Sequence, residues 1–467
     1  MNPELIRNWR LELSPARLAL MLVGVVAIAL LVVADETPHD AADGLHGWFR
    51  VLFYLTAGVW GTRRAAAAIT EEVAQGTWDA QRMSAMGPWT LTWGKLFGAT
   101  AQAWVVGLVC LGLSLAGPAL FDPSLLSRHE QVHTAAFDLL LVFGGQAVAL
   151  ASALALLALD RARHAQGATL AQTIALAVGA NAFTAAIALA ERDTPLNWWG
   201  LPLSGSQLAL LGLALFALSG VLVAWRLMRQ ELSHFDLPGS LPWGWLGMSG
   251  LGMAYAAGLA GGIDDPTFRH SVGLAAAYGV AAAATYVAIL FEPKDPLRLK
   301  ALNLRWREGK RAETLALLPG WAVTLPLAAL CAIALALVGE GLAHELGRQM
   351  FDDDSLEQVL RALIQMPLLG LLFILRDLLV AHLVFTRWAG RRPRRAPLMT
   401  LTVLLIAYLL LPAILLGLGW QAPRPFLVPA LDLGWGIAVG APLLEIALLA
   451  ILVWRPWRRP PPRKGQA

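Results

Sequence analysis

A polytopic α-helical membrane protein is the fold class this sequence predicts, and three observations predict it. Hydrophobic residues fill 57% of the 467 positions and charged residues only 15%, with a mean hydropathy of +0.59. Soluble domains carry about 25% charged residues. Apolar runs of about 18 or more residues recur, each long enough to cross a ~30 Å hydrocarbon core as a helix. These runs lack the alternation of barrel strands, and in lipid the backbone must satisfy its own hydrogen bonds, so helices remain.

Twelve spans are expected, near 17–34, 47–61, 96–118, 136–159, 168–190, 205–225, 243–261, 271–291, 320–339, 361–386, 398–418 and 431–454. The second is the shortest and runs on into Arg63, Arg64 and a run of alanines. An amphipathic segment precedes the first, and no small-residue cleavage site follows it, so it reads as a retained span. Loops set the orientation. The N-terminal tail and every second loop hold 28 of the 36 lysines and arginines. The alternate loops hold only Arg128, Arg192, Arg269, Arg348 and Arg424, and Arg50, Arg361 and Arg376 lie in or at the edge of spans. The positive-inside rule then puts both termini in the cytoplasm, so the pI of 9.3 reports topology and not nucleic-acid binding. Trp48, Trp60, Trp198, Trp199, Trp225, Trp243, Trp321, Trp388 and Trp454 lie near span ends, as interfacial anchors do. Cys110 and Cys331 fall within spans and give no disulfide framework.

Loop lengths suggest two halves. The longest cytoplasmic connection of the first half, 62–95, joins spans two and three; its counterpart, 292–319, joins spans eight and nine. The expected organisation is an interfacial elbow helix at 1–16, a six-helix half at 17–225, a second at 226–454 and a basic, proline-rich cytoplasmic tail at 455–467, a 6+6 pseudo-repeat. Outward loops are too short for a folded extracytoplasmic domain.

The polar stretch from Ile69 to Leu96, ITEEVAQGTWDAQRMSAMGPWTLTWGKL, is the most informative part of the chain. It reads as a helix ending at Gly76, a short helix capped by Thr77 with Trp78, Arg82 and Met86 along one face, and a break at Gly87-Pro88 before span three. Exposed Trp and Met beside acids suit an interface with a cytoplasmic partner. The stretch resembles the loop after the second span of type-2 ATP-binding-cassette (ABC) exporter permeases. The matching positions are Glu71, Glu72, Gly76, Thr77, Asp79, Pro88, Gly94 and Lys95, and the NPELIRNWRLELSPARL start is similar to that family's elbow helix. The resemblance covers about 2–118 and fades afterwards; loop 292–319 lacks the acid–Gly–Thr pattern. It implies a coupling helix that docks in a cytoplasmic ATPase subunit, with Glu71, Glu72, Gly76, Thr77, Trp78, Asp79, Arg82, Gly94 and Lys95 as the coupling residues. It also implies a bacterial inner-membrane exporter permease, with a second permease copy as a further candidate partner. The chain itself carries no nucleotide site. Six residues separate Gly87 from Gly94, where a P-loop needs four, and Leu96 stands where Ser or Thr would hold magnesium. ATP and magnesium are therefore expected on the partner, and this chain is not expected to be an enzyme.

Two alternatives stay open. Arg376, Asp377 and Glu445 lie near the middle of spans ten and twelve, where a charge costs roughly 2.5–3.5 kcal/mol on insertion scales, so they should face the bundle interior and pair. They would serve as structural glue or as a proton path in an ATP-independent secondary transporter. His129-Glu130-Gln131-Val132-His133 matches the H-E-x-x-H pattern of zinc proteases. Its short loop gives no wall for a cleft and no clear third ligand, with Asp138 and Glu191 the nearest acids, so the start of an interfacial helix is favoured over a metal site. Asp352, Asp353 and Asp354 read as a helix cap, and Asp264 and Asp265 as a turn.

Overall fold

The computed structural model describes residues 2–454 except 35, 85, 123, 125–126, 159–166, 193–194, 233–242, 264, 293–295, 351–353, 389–395, 421–422 and 430–433. Asp264, Asp352, Asp353 and the basic tail thus lie outside the described residues. The chain divides into two compact units, Met1–Pro195 with Leu203–Asp236, and Leu196–Pro202 with Leu237–Ala467. Both are helical, and the described residues form one small sheet, a two-stranded hairpin.

Among the described residues nine helices are long and apolar enough to cross a membrane, the mark of an integral multi-pass protein. Three of the twelve expected spans, the second, seventh and eleventh, are absent from that set. The second runs through α3 (Pro38–Phe53), a π-helical turn (Tyr54–Trp60) and α4 (Gly61–Ala74). The seventh, α11 (Trp243–Gly258), gives way to a 3-10 turn at Leu259–Gly262. The eleventh is split by a π turn, Ile406–Leu410, between α17 (Ala396–Leu405) and α18 (Leu411–Gly417).

In the first unit, α1 (Pro3–Glu12) and α2 (Pro15–Val33) each start on a proline at the first turn, where its missing N–H costs nothing. Phe49 and Phe53, one turn apart on α3, are fully buried against Val25 of α2 and against Val106, Cys110 and Leu111 of α7 (Ala101–Phe121). A second cluster joins Ala65, Ala66 and Ile69 of α4 to α8 (Arg128–Ala158), α9 (Gly167–Ala190) and α10 (Gly205–Leu232). A π turn frees backbone carbonyls that hydrocarbon cannot satisfy, and side chains supply the donors here. Gln146 Nε2 donates to the Ala57 carbonyl at 2.7 Å and Gln172 Nε2 to that of Val59 at 2.9 Å.

At the start of α3, His39 Nδ1 meets Asp122 Oδ2 at 2.6 Å, tying the end of α7 to α3. This bond raises the His39 pKa from its ordinary 6.5. Hydrogen bonds from Ser124 and His39 lower that of Asp122 to about 2. The imidazolium form of the pair therefore persists at pH values where a free histidine has already lost its proton. Its contribution is complete below 6.5 and fades as pH rises through the raised value. The His39 ring resonance should titrate above 6.5 by NMR and fall back toward 6.5 in Asp122→Asn; an unchanged midpoint would refute the pairing.

In the second unit, α12 (Pro266–Phe291), α15 (Trp321–Met350) and α16 (Asp354–Leu383) share a core of Ile289, Ile374, Leu378 and Ala381, flanked by Tyr286, Trp321 and Leu325. The Asp265 side chain caps α12 by accepting from the Phe268 amide at 2.6 Å. The hairpin pairs β1 (Leu196–Trp198) with β2 (Leu201–Leu203) through Trp199-Gly200. Both turn residues have positive φ, the backbone that a two-residue hairpin turn of matching twist requires. Trp198 and Trp199 donate through Nε1 to the carbonyls of Tyr255 and Ala254, so here the tryptophans hold a loop onto α11.

Candidate functional site

The loop between the second and third expected spans folds much as its punctuation implies. α4 ends in a Schellman motif: Gly76 has φ of +71°, its amide reaches the Val73 carbonyl at 3.2 Å, and the Thr77 amide reaches Glu72 at 2.9 Å. α5 (Trp78–Arg82) follows, then α6 (Pro88–Trp93) with Pro88 at its first position, then a π turn (Gly94–Gly98) leading into α7. Two expectations change. Thr77 has helical φ and ψ, so its hydroxyl cannot turn back to cap α5 and instead meets the Glu72 carbonyl at 3.3 Å. Trp78, expected on the surface, is only 4% exposed and belongs to the core built by α4, α8, α9 and α10, with Met86 packed beside it. The most exposed large apolar residue of this loop is Met83, at 77%, followed by Trp89 at 41%.

The larger surprise is Lys95. It is 1% exposed and bridges Glu4, at 2.8 Å, and Glu72. Arg7 reaches Glu4 at 3.0 Å and Glu72 at 2.5 Å, and Gln81 Nε2 donates to Glu72 at 2.5 Å. Two acids and two bases thus form one neutral cluster that joins α1, α4, α5 and the π turn before α7. α1 packs with its polar side inward: Glu4 and Asn8 are buried while Trp9 and Leu11 are exposed. Small residues permit this approach. A Cβ on Gly94 would lie 2.5 Å from Glu4 Cγ, and one on Gly98 would lie 2.7 Å from Asn8 Cβ. Gly94 and Gly98 are a G-x-x-x-G pair, the spacing that lets helix backbones close on one another. Asn8 Nδ2 then donates to the Gly94 carbonyl at 3.1 Å.

Of the residues assigned to coupling, Glu72, Gly94 and Lys95 therefore meet in this cluster, Gly76 terminates α4 beneath it, and Trp78 faces the core. Glu71 and Asp79 remain on the outside, paired loosely with Arg64 at 3.4 Å and Arg82 at 3.7 Å.

Each unit also holds charges inside its apolar helices. In the first, Asp138 of α8 is fully buried, accepts from Arg50 Nη2 at 2.8 Å and Nε at 2.9 Å, and accepts from the Tyr54 hydroxyl at 2.5 Å. In the second, Arg376 turns inward, as the insertion cost demands, and is 4% exposed. Its Nε donates to Asp377 at 3.0 Å; its Nη1 donates to the Phe426 carbonyl at 2.7 Å and to Glu445 of α20 (Trp435–Trp454) at 3.2 Å. The guanidinium lies 4.6 Å from the Phe373 ring centre and 4.9 Å from that of Tyr408. Asp377 also accepts from the hydroxyls of Tyr286 at 2.8 Å and Tyr408 at 2.6 Å. These tyrosines and Arg50 were not singled out from the sequence. One structural feature unites the three clusters: Tyr54, Lys95 and Tyr408 each sit in a π turn, where one extra residue per turn redirects a side chain.

The H-E-x-x-H stretch is the first turn of α8. Glu130 accepts from the Ser127 amide at 2.7 Å while the Ser127 hydroxyl accepts from the Glu130 amide at 3.3 Å, a capping box. His129 and His133 stack edge to face, 4.3 Å apart, and no group of three or more metal-ligating side chains assembles among the described residues. No known family matches this chain, and neither a curated protein nor a solved structure is significantly similar to it.

Proposed function

We propose that this chain is the membrane subunit of an ABC-type exporter, carrying both transmembrane halves and driven by a separate cytoplasmic ATPase. One observation carries the reading. The Glu4–Lys95–Glu72 cluster joins an interfacial helix, the loop helix and the π turn that leads into α7, so a force on the loop reaches a membrane helix. Glu71, Asp79 and Met83 form the outer surface on which such a force would act. Twelve crossings with both termini cytoplasmic in a bacterial plasma membrane complete the proposal, the three interrupted segments joining the nine long helices.

A 6+6 repeat is supported by two recurrences. A tyrosine of the second expected span bonds an aspartate of the fourth, Tyr54 to Asp138, and a tyrosine of the eighth bonds an aspartate of the tenth, Tyr286 to Asp377. Loop 292–319 likewise holds a helix, α13 (Pro296–Arg307), closed by a Schellman glycine, Gly309 at φ +74°, with a short helix, α14 (Arg311–Leu317), after it.

Purification of the tagged chain from its native membranes should bring down an ATPase subunit. Glu71→Lys with Asp79→Lys should lose that subunit while leaving the yield of folded chain unchanged, since neither side chain belongs to the buried cluster. Copurification unaffected by the double charge reversal would refute docking at this loop. A proton-coupled carrier remains the second reading, favoured by two carboxylates facing one guanidinium in the second unit. Transport that survives ATP depletion and stops with a protonophore would select it.

A further inference from the structure

We propose that the second unit holds a binding site for a monocationic amphiphile whose ammonium group carries a neighbouring oxygen, an amino alcohol being the simplest case. A cavity of about 300 Å³ lies among α16, α17, the Ile406–Leu410 turn, α19 (Arg424–Leu427) and α20. Val380, Leu404, Ala407, Leu427 and Leu448 give it apolar walls, and Arg376, Asp377 and Glu445 form its polar end.

Hydrogen-bond accounting identifies which of these groups are free to receive a ligand. Asp377 is fully buried and already takes three donors: Oδ1 takes Arg376 Nε and Oδ2 takes both tyrosine hydroxyls. Among the described residues Glu445 accepts from Arg376 alone, at 3.2 Å through Oε2, and it is 27% exposed. Arg376 Nη2 is buried and has no hydrogen-bond partner among the described residues. The polar end thus offers an acceptor with spare capacity on Glu445 and an unused donor on Arg376.

Charge decides the ligand class. One guanidinium faces two carboxylates, so with both ionised the site carries one negative charge in excess near the middle of two membrane helices, where an uncompensated charge is costly. The first unit supplies the comparison. There a guanidinium, an aspartate and a tyrosine form a balanced cluster, with no second acid bonded to it among the described residues. The tyrosine–aspartate–arginine arrangement therefore serves as structural glue on its own, and Glu445 is what the second unit adds. An ammonium on Glu445 neutralises the excess charge, an adjacent oxygen accepts from Arg376 Nη2, and an alkyl chain fills the apolar walls. A carboxylate ligand would add to the excess charge, and a plain alcohol would leave it uncompensated.

The test is calorimetric titration of the full chain in lipid nanodiscs, with empty nanodiscs as blank and 2-amino-1-dodecanol, dodecanol and laurate as probes. The amino alcohol should bind at least tenfold more tightly than dodecanol, and laurate should not bind. Glu445→Gln should weaken the amino alcohol tenfold or more and leave dodecanol unchanged. Ala407→Phe fills the cavity without touching the charged groups and should abolish binding of both. No binding of the amino alcohol, equal affinity for dodecanol, binding of laurate, or wild-type affinity in Ala407→Phe would each overturn the proposal.

Discussion

Replacing Lys95 by methionine should destabilise the first unit by about 3–5 kcal/mol, the range for removing one partner of a buried ion pair. The ammonium is enclosed and has two carboxylates as partners, and Glu4 is as deeply buried as Lys95 itself. With Lys95 present, two acids and two bases balance. Without it Arg7 alone faces Glu4 and Glu72, so one negative charge stays buried with nothing to offset it. Methionine keeps the volume, so the loss is electrostatic and not a cavity effect. The diagnostic variant is Lys95→Met with Glu4→Gln, which restores charge balance and retains a side chain able to bond Asn8. It should recover part of the loss, with a coupling energy of about 0.5–3 kcal/mol, the range for residues in one network. SDS-titration unfolding in mixed micelles measures both, and trypsin cleavage at Arg7 reports release of α1. A single variant within about 1 kcal/mol of wild type, the median value of an exposed pair, would show that the cluster does not hold α1 in place.

The parts of this architecture that could be read from sequence are those set by local composition. Hydropathy locates the long helices because lipid imposes one requirement on every residue of a span. Glycine and proline punctuation locates the end of α4 and the start of α6 because φ is restricted residue by residue. The inward turn of Arg376 toward Glu445 follows from the cost of a charge in hydrocarbon, which leaves few alternatives. Trp78 is different. α5 has five residues, too few to show a periodicity, so nothing in its own pattern says which face is buried. The π turns are tertiary in origin: no period break marks Tyr54 or Tyr408, and each is satisfied by groups far away in sequence. Two further features are legible in the sequence itself. Gly94 and Gly98 have the spacing of a close helix crossing, and Ser127 with Glu130 has the spacing of a capping box. The first would have pointed to α1 as the partner of the loop, and the second explains Glu130 of H-E-x-x-H without a metal.

In the second unit Asp377→Ala should be the most damaging single change, with a loss of about 3–5 kcal/mol. Asp377 is the common acceptor of three donors, Arg376 Nε, the Tyr286 hydroxyl and the Tyr408 hydroxyl, on three separate helical segments. Its removal takes that acceptor from all three, and each buried donor left unmade costs about 1–3 kcal/mol, though the terms are not additive because Arg376 keeps Glu445 and the Phe426 carbonyl and the two tyrosine hydroxyls lie within reach of each other. Asp377→Asn should fall between Asp377→Ala and wild type: one acceptor oxygen survives for the tyrosines, while the charge that balances Arg376 is lost. Tyr286→Phe should cost about 0.5–1.5 kcal/mol, since Tyr408 still bonds Asp377 and the lost group leaves only an apolar ring. Glu445→Gln should be the mildest of the carboxylate changes. Glutamine retains an acceptor for Arg376 at a position reached only by Nη1, and the cluster keeps one acid for its one guanidinium. The expected order of destabilisation is therefore Asp377→Ala, Asp377→Asn, Glu445→Gln. SDS-titration midpoints of the purified chain measure it. If Glu445→Gln unfolds the protein as readily as Asp377→Asn, then Glu445 is part of the structural cluster, and the division between a buried aspartate with three donors and an available glutamate fails.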